Sequence, residues 1–468
     1  MRAVVVGSGP NGLAGAIRLA QAGASVTMLE SHWRIGGAVG SAELTAPGLV
    51  HDLGASFMPL AAASPFLRSL GLERRGVHWD EAPAALAHPL DDGSAGVLYR
   101  DIARTAEGMG SDGTTWRNLF GPFADRFDDL TADALQPLAR VPRHAALMAR
   151  FGALAAQPAL RLAGSFREER HRALFAGIAA HAFGRLDTTF SSAIGVMLAS
   201  AGHAVGWPVV RGGAQVLADA LVAELESLGG RVETGRTVTD VRELDDADVV
   251  LLDVAPSAAV EILHHRIPER SRRAFTEYTH GPAAYKVDFA IDGDIPWTAA
   301  ECQEAGVVHL GGTADEVAMA EAQVVSGKSS RAPFTLVGQQ WKADPTRSSG
   351  GLNPVWAYAH VPYGSTVAAE NRITSQIERF APGFRDRIVS TRVTSAMGLA
   401  AANSNFVGGD INTGANTFRQ LIARPTFGSN PYKTGVPGVY LCSAATPPGP
   451  GVHGMSGVNA ANRALHVA

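Results

Sequence analysis

The chain has 468 residues, a formal net charge of −4 and 18% charged residues, too many residues for one small core, so two or three packed substructures are expected. The charged fraction lies below the roughly 25% of an average soluble domain, and no sustained basic block occurs, which argues against nucleic acid as a partner and for extensive buried surface around an apolar cavity. Its two cysteines, Cys302 and Cys442, form neither a CxxC pair nor a metal-ligand cluster, which disfavours dithiol redox chemistry and a bound metal and fits a reducing, cytoplasmic compartment.

The first apolar run leads into glycines instead of a cleavage site, so no signal peptide is expected. No stretch reaches the roughly 18 uninterrupted apolar residues of a membrane span. The nearest, 145–164, is broken by Arg150, Pro158 and Arg161.

Residues 3–6 are fully apolar, as suits a central parallel strand. They run into Gly7-Ser8-Gly9-Pro10-Asn11-Gly12, a G-x-G-x-x-G pattern, followed by helical character over 13–22, a stop at Gly23 and a second strand over 25–29. Gly7 permits the tight turn, Gly9 lets backbone approach a pyrophosphate, and Gly12 lets helix and strand pack closely. The helix start then presents free N–H groups and a positive dipole end to phosphate. Glu30 ends the second strand, where a carboxylate accepts hydrogen bonds from ribose hydroxyls and repels a 2′-phosphate. A Rossmann-type βαβ unit on a parallel sheet, binding a dinucleotide other than NADP, is the reading of these residues.

Next come Ser31-His32-Trp33-Arg34-Ile35-Gly36-Gly37 and Gly48-Leu49-Val50-His51-Asp52-Leu53-Gly54. These resemble the R-x-G-G and G-x-x-x-D-x-G segments of the amine oxidase and phytoene desaturase flavoprotein superfamily. The resemblance implies FAD, with Gly36 and Gly37 near its flavin half and Ser31 and Arg34 nearer its adenosine and phosphates. Arg211-Gly212-Gly213-Ala214-Gln215 opens a helix with Leu217, Leu221, Leu225 and Leu228 on one face, followed by strand-like 231–234, 237–241 and 248–254. By resemblance this is the return to the FAD domain, where Val238 contacts adenine.

Towards the C-terminus an apolar strand enters a glycine- and proline-rich loop, 443–457, and a helix follows from about Gly457 to the end. The resemblance places this loop beneath the isoalloxazine ring, with Ala445, Gly454 and Met455 at the cofactor. Backbone N–H groups there can stabilise negative charge on reduced flavin. Relatives commonly read G-A-G-T where this chain has Ser443-Ala444-Ala445-Thr446, which makes close backbone approach less assured. The expected division is an FAD-binding domain from 1–64, 200–262 and 400–468, with a discontinuous α+β substrate domain from 65–199 and 263–399. Within the latter, 284–291 and 355–361 read as strands. Residues 87–93, 286–289, 296–297 and 403–410 are further points of similarity, most of all to the phytoene-desaturase-related branch of pyridine nucleotide-disulphide oxidoreductase domain-containing proteins. That branch name promises disulphide chemistry, for which this chain has no paired cysteines.

The implied reaction takes a hydride from a substrate C–H bond to flavin N5, as a dehydrogenase or desaturase of an apolar or moderately polar small organic molecule. A flavin amine oxidase releasing peroxide and a non-catalytic flavin-binding interaction protein are the alternatives. There is no second G-x-G-x-x-G, so oxygen or a quinone is the expected electron acceptor. His453, in the loop at the flavin, is a candidate acid or base. Lys286 begins KVDFAIDGDIPW, similar to the lysine-to-tryptophan spacing of flavin amine oxidases, in which the lysine holds a water at N5. Trp356 and Tyr358 alternate on one strand, which suits a core or a cavity wall. Asn405 and Asp410 suit turn formation. The segment 145–162, with Leu147, Met148, Phe151 and Leu154 at helical spacing, is expected to pack in the core or lid the cavity; membrane-surface contact is the lesser alternative.

Overall fold

The apolar residues after Arg2 form β1 (Arg2–Val6), the central strand of a five-stranded sheet in which every pairing is parallel. In the computed structural model, which describes residues 1–137 and 140–466, β1 pairs with β2 (Ser25–Leu29) on one side and Val249–Leu252 on the other. The edges are Arg231–Glu233 and Val439–Leu441.

The helix α1 (Pro10–Gln21) follows β1 at once because Gly9 is extended at its N-cap and Pro10 supplies a helical φ at the first position. It buries Leu13, Ile17 and Leu19 and ends before Gly23, whose φ is +83°. Against it lies the helix Met455–Ala464. That crossing depends on Gly457: a Cβ there would stand 1.7 Å from the Asn11 carbonyl oxygen. The sequence thus brings its last helix onto its first.

A seven-stranded mixed sheet forms the second layer, in the order Ile388–Thr394, Ala283–Asp292, Leu352–Val361, Thr335–Gly338, Ala305–Leu310, Ala84–Pro89, Ala95–Leu98. Alternation along its strands sorts the side chains. Tyr285, Val287, Phe289, Val355 and Ala357 join one core with Ile373, Ile377 and Phe380 of the helix Glu370–Phe380. Ala284, Trp356 and Tyr358 face the other core, built on Trp116, Phe120, Phe166 and Phe175 from the helical layer between residues 102 and 205. The chain is therefore α/β: a Rossmann-type parallel sheet with an α+β portion assembled from separated segments.

Several boundaries differ from expectation. Residues 237–241 form no strand: the Thr239 and Asp240 N–H groups donate to Glu243 Oε1 at 2.9 and 3.1 Å, and a 3₁₀ turn starts at Val241. A local side-chain acceptor has outcompeted the sheet. The segment 145–162 is two helices, Ala145–Ala155 and Ala159–Ala163, because Pro158 is extended between them. It packs its Leu147 and Leu162 into the core. Leu228 leaves the buried row of Leu217, Leu221 and Leu225 and is exposed at the helix end. The last helix begins at Met455 and ends at Ala464; residues 467–468, to which it was expected to run, lie outside the described residues.

Replacing Gly457 with Ala is expected to destabilise the protein by about 3 kcal/mol, because backbone of α1 must move. Gly152→Ala, in a helix with no atom within 4 Å of the new Cβ, is expected to stabilise by about 0.5 kcal/mol. Thermal melts of the two variants check the contrast; equal melting temperatures would refute it.

Candidate active site

One cavity of about 720 Å³ opens at the carboxyl ends of β1, β2 and Val249–Leu252 and continues to the face of the seven-stranded sheet. That edge of an open parallel sheet is where such folds bind ligands. Of the residues expected at the cofactor, Gly7, Gly9, Pro10, Asn11, Glu30, Ser31, Arg34, Gly37 and Val238 line the cavity. Gly12, Gly36, Ala445, Gly454 and Met455 stand behind its wall. The C-terminal loop reaches the cavity instead through Ala444, Pro450, Gly451 and Val452.

The glycine loop has no room for side chains. A Cβ on Gly9 would lie 2.6 Å from Asp253 Oδ2, and one on Gly12 would lie 2.1 Å from the Gly7 carbonyl oxygen. Asp253, just beyond Val249–Leu252, holds this loop: its Oδ2 accepts the Gly12 N–H at 2.9 Å. Burial pushes its carboxyl up to about 7; the Gly12 N–H pulls it back, and nearby Glu30 pushes the same way as burial. Glu30 accepts from the Ser8 N–H at 2.8 Å, the Ser8 hydroxyl at 2.7 Å, the His32 N–H at 2.8 Å and the Ser31 hydroxyl at 3.3 Å.

The double glycine closes onto the same loop. Gly36 N–H donates to Ser8 Oγ at 3.1 Å, and a Cβ on Gly37 would stand 3.0 Å from Gly9 Cα. Arg34 reaches only the carbonyls of Ile35 and Gly37, at 3.4 and 3.5 Å. Its guanidinium therefore meets the cavity with no carboxylate paired to it among the described residues. Asn11 Oδ1, also at the wall, is buried without a partner. A tight glycine cradle and a free cation suit the phosphates of a dinucleotide, and the unsatisfied Asn11 Oδ1 can accept from a hydroxyl.

At the other end the wall is apolar and aromatic: Leu198, Trp207, Val307, Leu336, Trp356, Tyr358, Leu399 and Phe406. Lys286 joins them, directly across the strand pair from Tyr358. Its ammonium is paired with Asp288, whose other oxygen faces His51 Nδ1 at 3.5 Å; His51 Nε2 meets Thr45 Oγ1 at 2.7 Å. Lys286, Asp288 and His51 are all buried, and Thr45 is partly exposed. His181 also reaches the cavity, and burial lowers it to about 4, so it is neutral there.

His453 is a correction. It does not line the cavity; its Nδ1 accepts the Met455 N–H at 3.0 Å, its carbonyl accepts from Ser64 Oγ at 2.6 Å, and burial lowers it to about 4. The ring is a neutral brace for the loop, turned away from the cavity lining. Trp356 and Tyr358, equally compatible with an ordinary core, stand at the wall. Asn405 also reaches the cavity, where its Nδ2 donates to the Asp253 carbonyl at 2.9 Å. Asp410 does form a turn, accepting from the Asn412 and Gly414 N–H groups. Asp253 was missed, although its place one residue past a buried parallel strand was a usable signal. Among the described residues no cluster could hold a metal ion, and no helix is long and apolar enough to cross a membrane.

Folding raises Asp253 from 3.8 to about 7, so the folded protein holds this proton more tightly than the unfolded chain does. The contribution favours folding fully below about pH 4 and is lost as pH rises through 7. Asp253→Asn is expected to gain stability relative to the parent by about 2 kcal/mol between pH 5 and pH 8. Chemical denaturation at both pH values measures this, and a constant difference would show an ionised Asp253 throughout.

Comparison with known proteins agrees with this geometry. Residues 5–70 match the NAD(P)-binding Rossmann-like domain family. The chain is homologous to pyridine nucleotide-disulfide oxidoreductase domain-containing protein 2 of Mus musculus, 25% identical over 98% of this chain and 92% of that protein. Among solved structures, an oxidoreductase from Methanosarcina mazei matches with TM-score 0.63 and 15% identity over 100% of both chains. A putrescine oxidase with putrescine bound matches with TM-score 0.58 and 18% identity, over 100% of this chain and 99% of that one. The fold is shared with these solved oxidoreductase structures.

Proposed function

We propose that the protein is an FAD-dependent oxidoreductase acting as a dehydrogenase or desaturase on an apolar or moderately polar organic molecule. The observation that carries this reading is the single cavity joining the glycine cradle to an aromatic and aliphatic wall. Bound FAD would supply a two-electron acceptor at flavin N5 for a hydride leaving a substrate carbon.

The chain's residues divide the remaining work. Gly7, Gly9 and Gly37 give the phosphates close access to backbone, and Arg34 offers the unpaired cation. Glu30 would take a ribose hydroxyl in place of Ser31, its longest hydrogen bond at 3.3 Å. Val238 packs at the adenosine end, and Ala444 to Val452 close the flavin end. Leu336, Trp356 and Phe406 exclude water and hold the substrate body. Lys286, fixed by Asp288, presents a proton-bearing group inside an otherwise apolar wall. Oxygen or a quinone is the proposed electron acceptor.

The amine oxidase reading draws on Lys286, yet among the described residues no carboxylate lines the substrate half to receive a cationic amine; Glu30, Asp253 and Glu261 all lie at the dinucleotide end. Protein isolated yellow, carrying FAD, and bleached anaerobically by an organic donor whose product is two mass units lighter is the expected result. Isolation without colour, and failure to take up added FAD, would overturn the proposal. A yellow protein that no donor bleaches would favour the non-catalytic reading. Lys286→Met is expected to slow reoxidation by oxygen at least tenfold with FAD retained; an unchanged rate would remove Lys286 from that step.

A further inference from the structure

The wall of the substrate half carries hydrogen-bond donors that nothing in the protein answers. Trp356 is 9% exposed, lines the cavity, and its indole Nε1 is buried without a partner. An indole N–H can only donate, and leaving it unmade in a dry site costs about 1–3 kcal/mol. Two residues on along the same strand face, Tyr358 lines the same cavity with its ring centroid 5.0 Å from that of Trp356. Among the described residues its hydroxyl has no hydrogen-bond partner, and burial pushes the phenol well above its ordinary range, so it stays protonated and able to donate. Lys286 stands opposite Tyr358 in the strand register, its charge answered from behind the wall by Asp288. Three donors therefore share one patch of sheet, inside a wall otherwise built from Leu336, Val307 and Phe406.

We propose that the substrate, an apolar body, carries an oxygen acceptor (a carbonyl or carboxylate) that is held at this patch by Trp356 Nε1, the Tyr358 hydroxyl and Lys286 Nζ. This inference rests on the oxidoreductase reading for the word substrate, but not for the binding itself. A pure hydrocarbon would leave the indole N–H unsatisfied. A cationic amine would add a second set of donors and face the lysine. An oxygen acceptor supplies what the patch lacks, and the surrounding aliphatic and aromatic groups strengthen each hydrogen bond by excluding water.

Calorimetric titration of the isolated protein with 3-phenylpropanoate, 4-phenyl-2-butanone, 3-phenylpropylamine and propylbenzene tests this, since the four share one apolar body. The acid or the ketone is expected to bind at least tenfold more tightly than the amine and the hydrocarbon. A preference for the acid identifies a carboxylate ligand, and a preference for the ketone a neutral carbonyl. Trp356→Phe and Tyr358→Phe, which keep the aromatic packing, are each expected to weaken that ligand about fivefold while leaving propylbenzene unchanged. Tightest binding by the amine, equal binding by the hydrocarbon, or no binding by either oxygen probe would overturn the proposal. If a variant melts early, the wild-type ranking alone decides. A flavin that no donor bleaches, with the ranking intact, would remove the proposed function and leave this acceptor site standing.

Discussion

Arg347 has no exposed surface, and the cavity stands on the way its charge is answered. Taking a guanidinium out of water costs several kcal/mol, repaid only when its donors are met with good geometry. Here Nη1 meets Asp52 Oδ2 at 2.6 Å, Nη2 meets the Val210 carbonyl at 2.7 Å, and Nε meets Asp344 Oδ2 at 3.3 Å. Asp52 also accepts from Ser41 Oγ at 2.8 Å and from the Ala214 N–H at 2.8 Å, and Asp344 accepts from the Gly212 N–H at 2.7 Å. One buried cation thus ties together the segment after the double glycine, the turn before the Gln215–Ser227 helix, and the connection between two strands of the larger sheet. No member can be lost without stranding the others, so these three segments keep one relative placement, and with them the stretch from Leu53 to Ala61 that lines the cavity.

The electrostatics differ between the two ends of that cavity. Glu30, Arg34 and Asp253 put charge and polarity at the dinucleotide end. At the substrate end His181 reaches the cavity, and His88, His309 and His360 lie behind it; burial holds His88 and His181 at about 4 and His309 well below its ordinary value. His309 has no partner on either ring nitrogen, and His360 is bonded to Glu321 at 2.7 Å. Burial keeps His88, His181 and His309 neutral beside the aromatic wall, where the Lys286 ammonium is answered by Asp288.

What could be read from the sequence was local. Gly7 to Gly12 and Glu30 lie within one strand–turn–helix–strand unit, where spacing and geometry are nearly the same thing, and their cradle was legible. So was the alternation that puts Trp356 and Tyr358 on one face of their strand, though neither which face met a cavity nor that Lys286 lay across from Tyr358. The partners that fix the site were illegible because they are remote: Asp253 is 241 residues from Gly12, and Arg347 is 295 from Asp52. No periodicity links such pairs. His453 misled for a related reason, since a glycine-rich loop shows which residues it holds but not which of them turn inward. Residues 237–241 had a strand's composition, and only Glu243, capping their N–H groups, decided otherwise.

The parallel sheet sets an order of events during synthesis. Val439–Leu441 completes the sheet beside Val249–Leu252, and the helix after it rests on α1 through Gly457. Both β1 and α1 are made long before Ala444, Pro450, Gly451 and Val452, the part of the C-terminal loop that reaches the cavity. The glycine turn therefore emerges long before the loop that completes its cavity, and the finished pocket waits on these later residues.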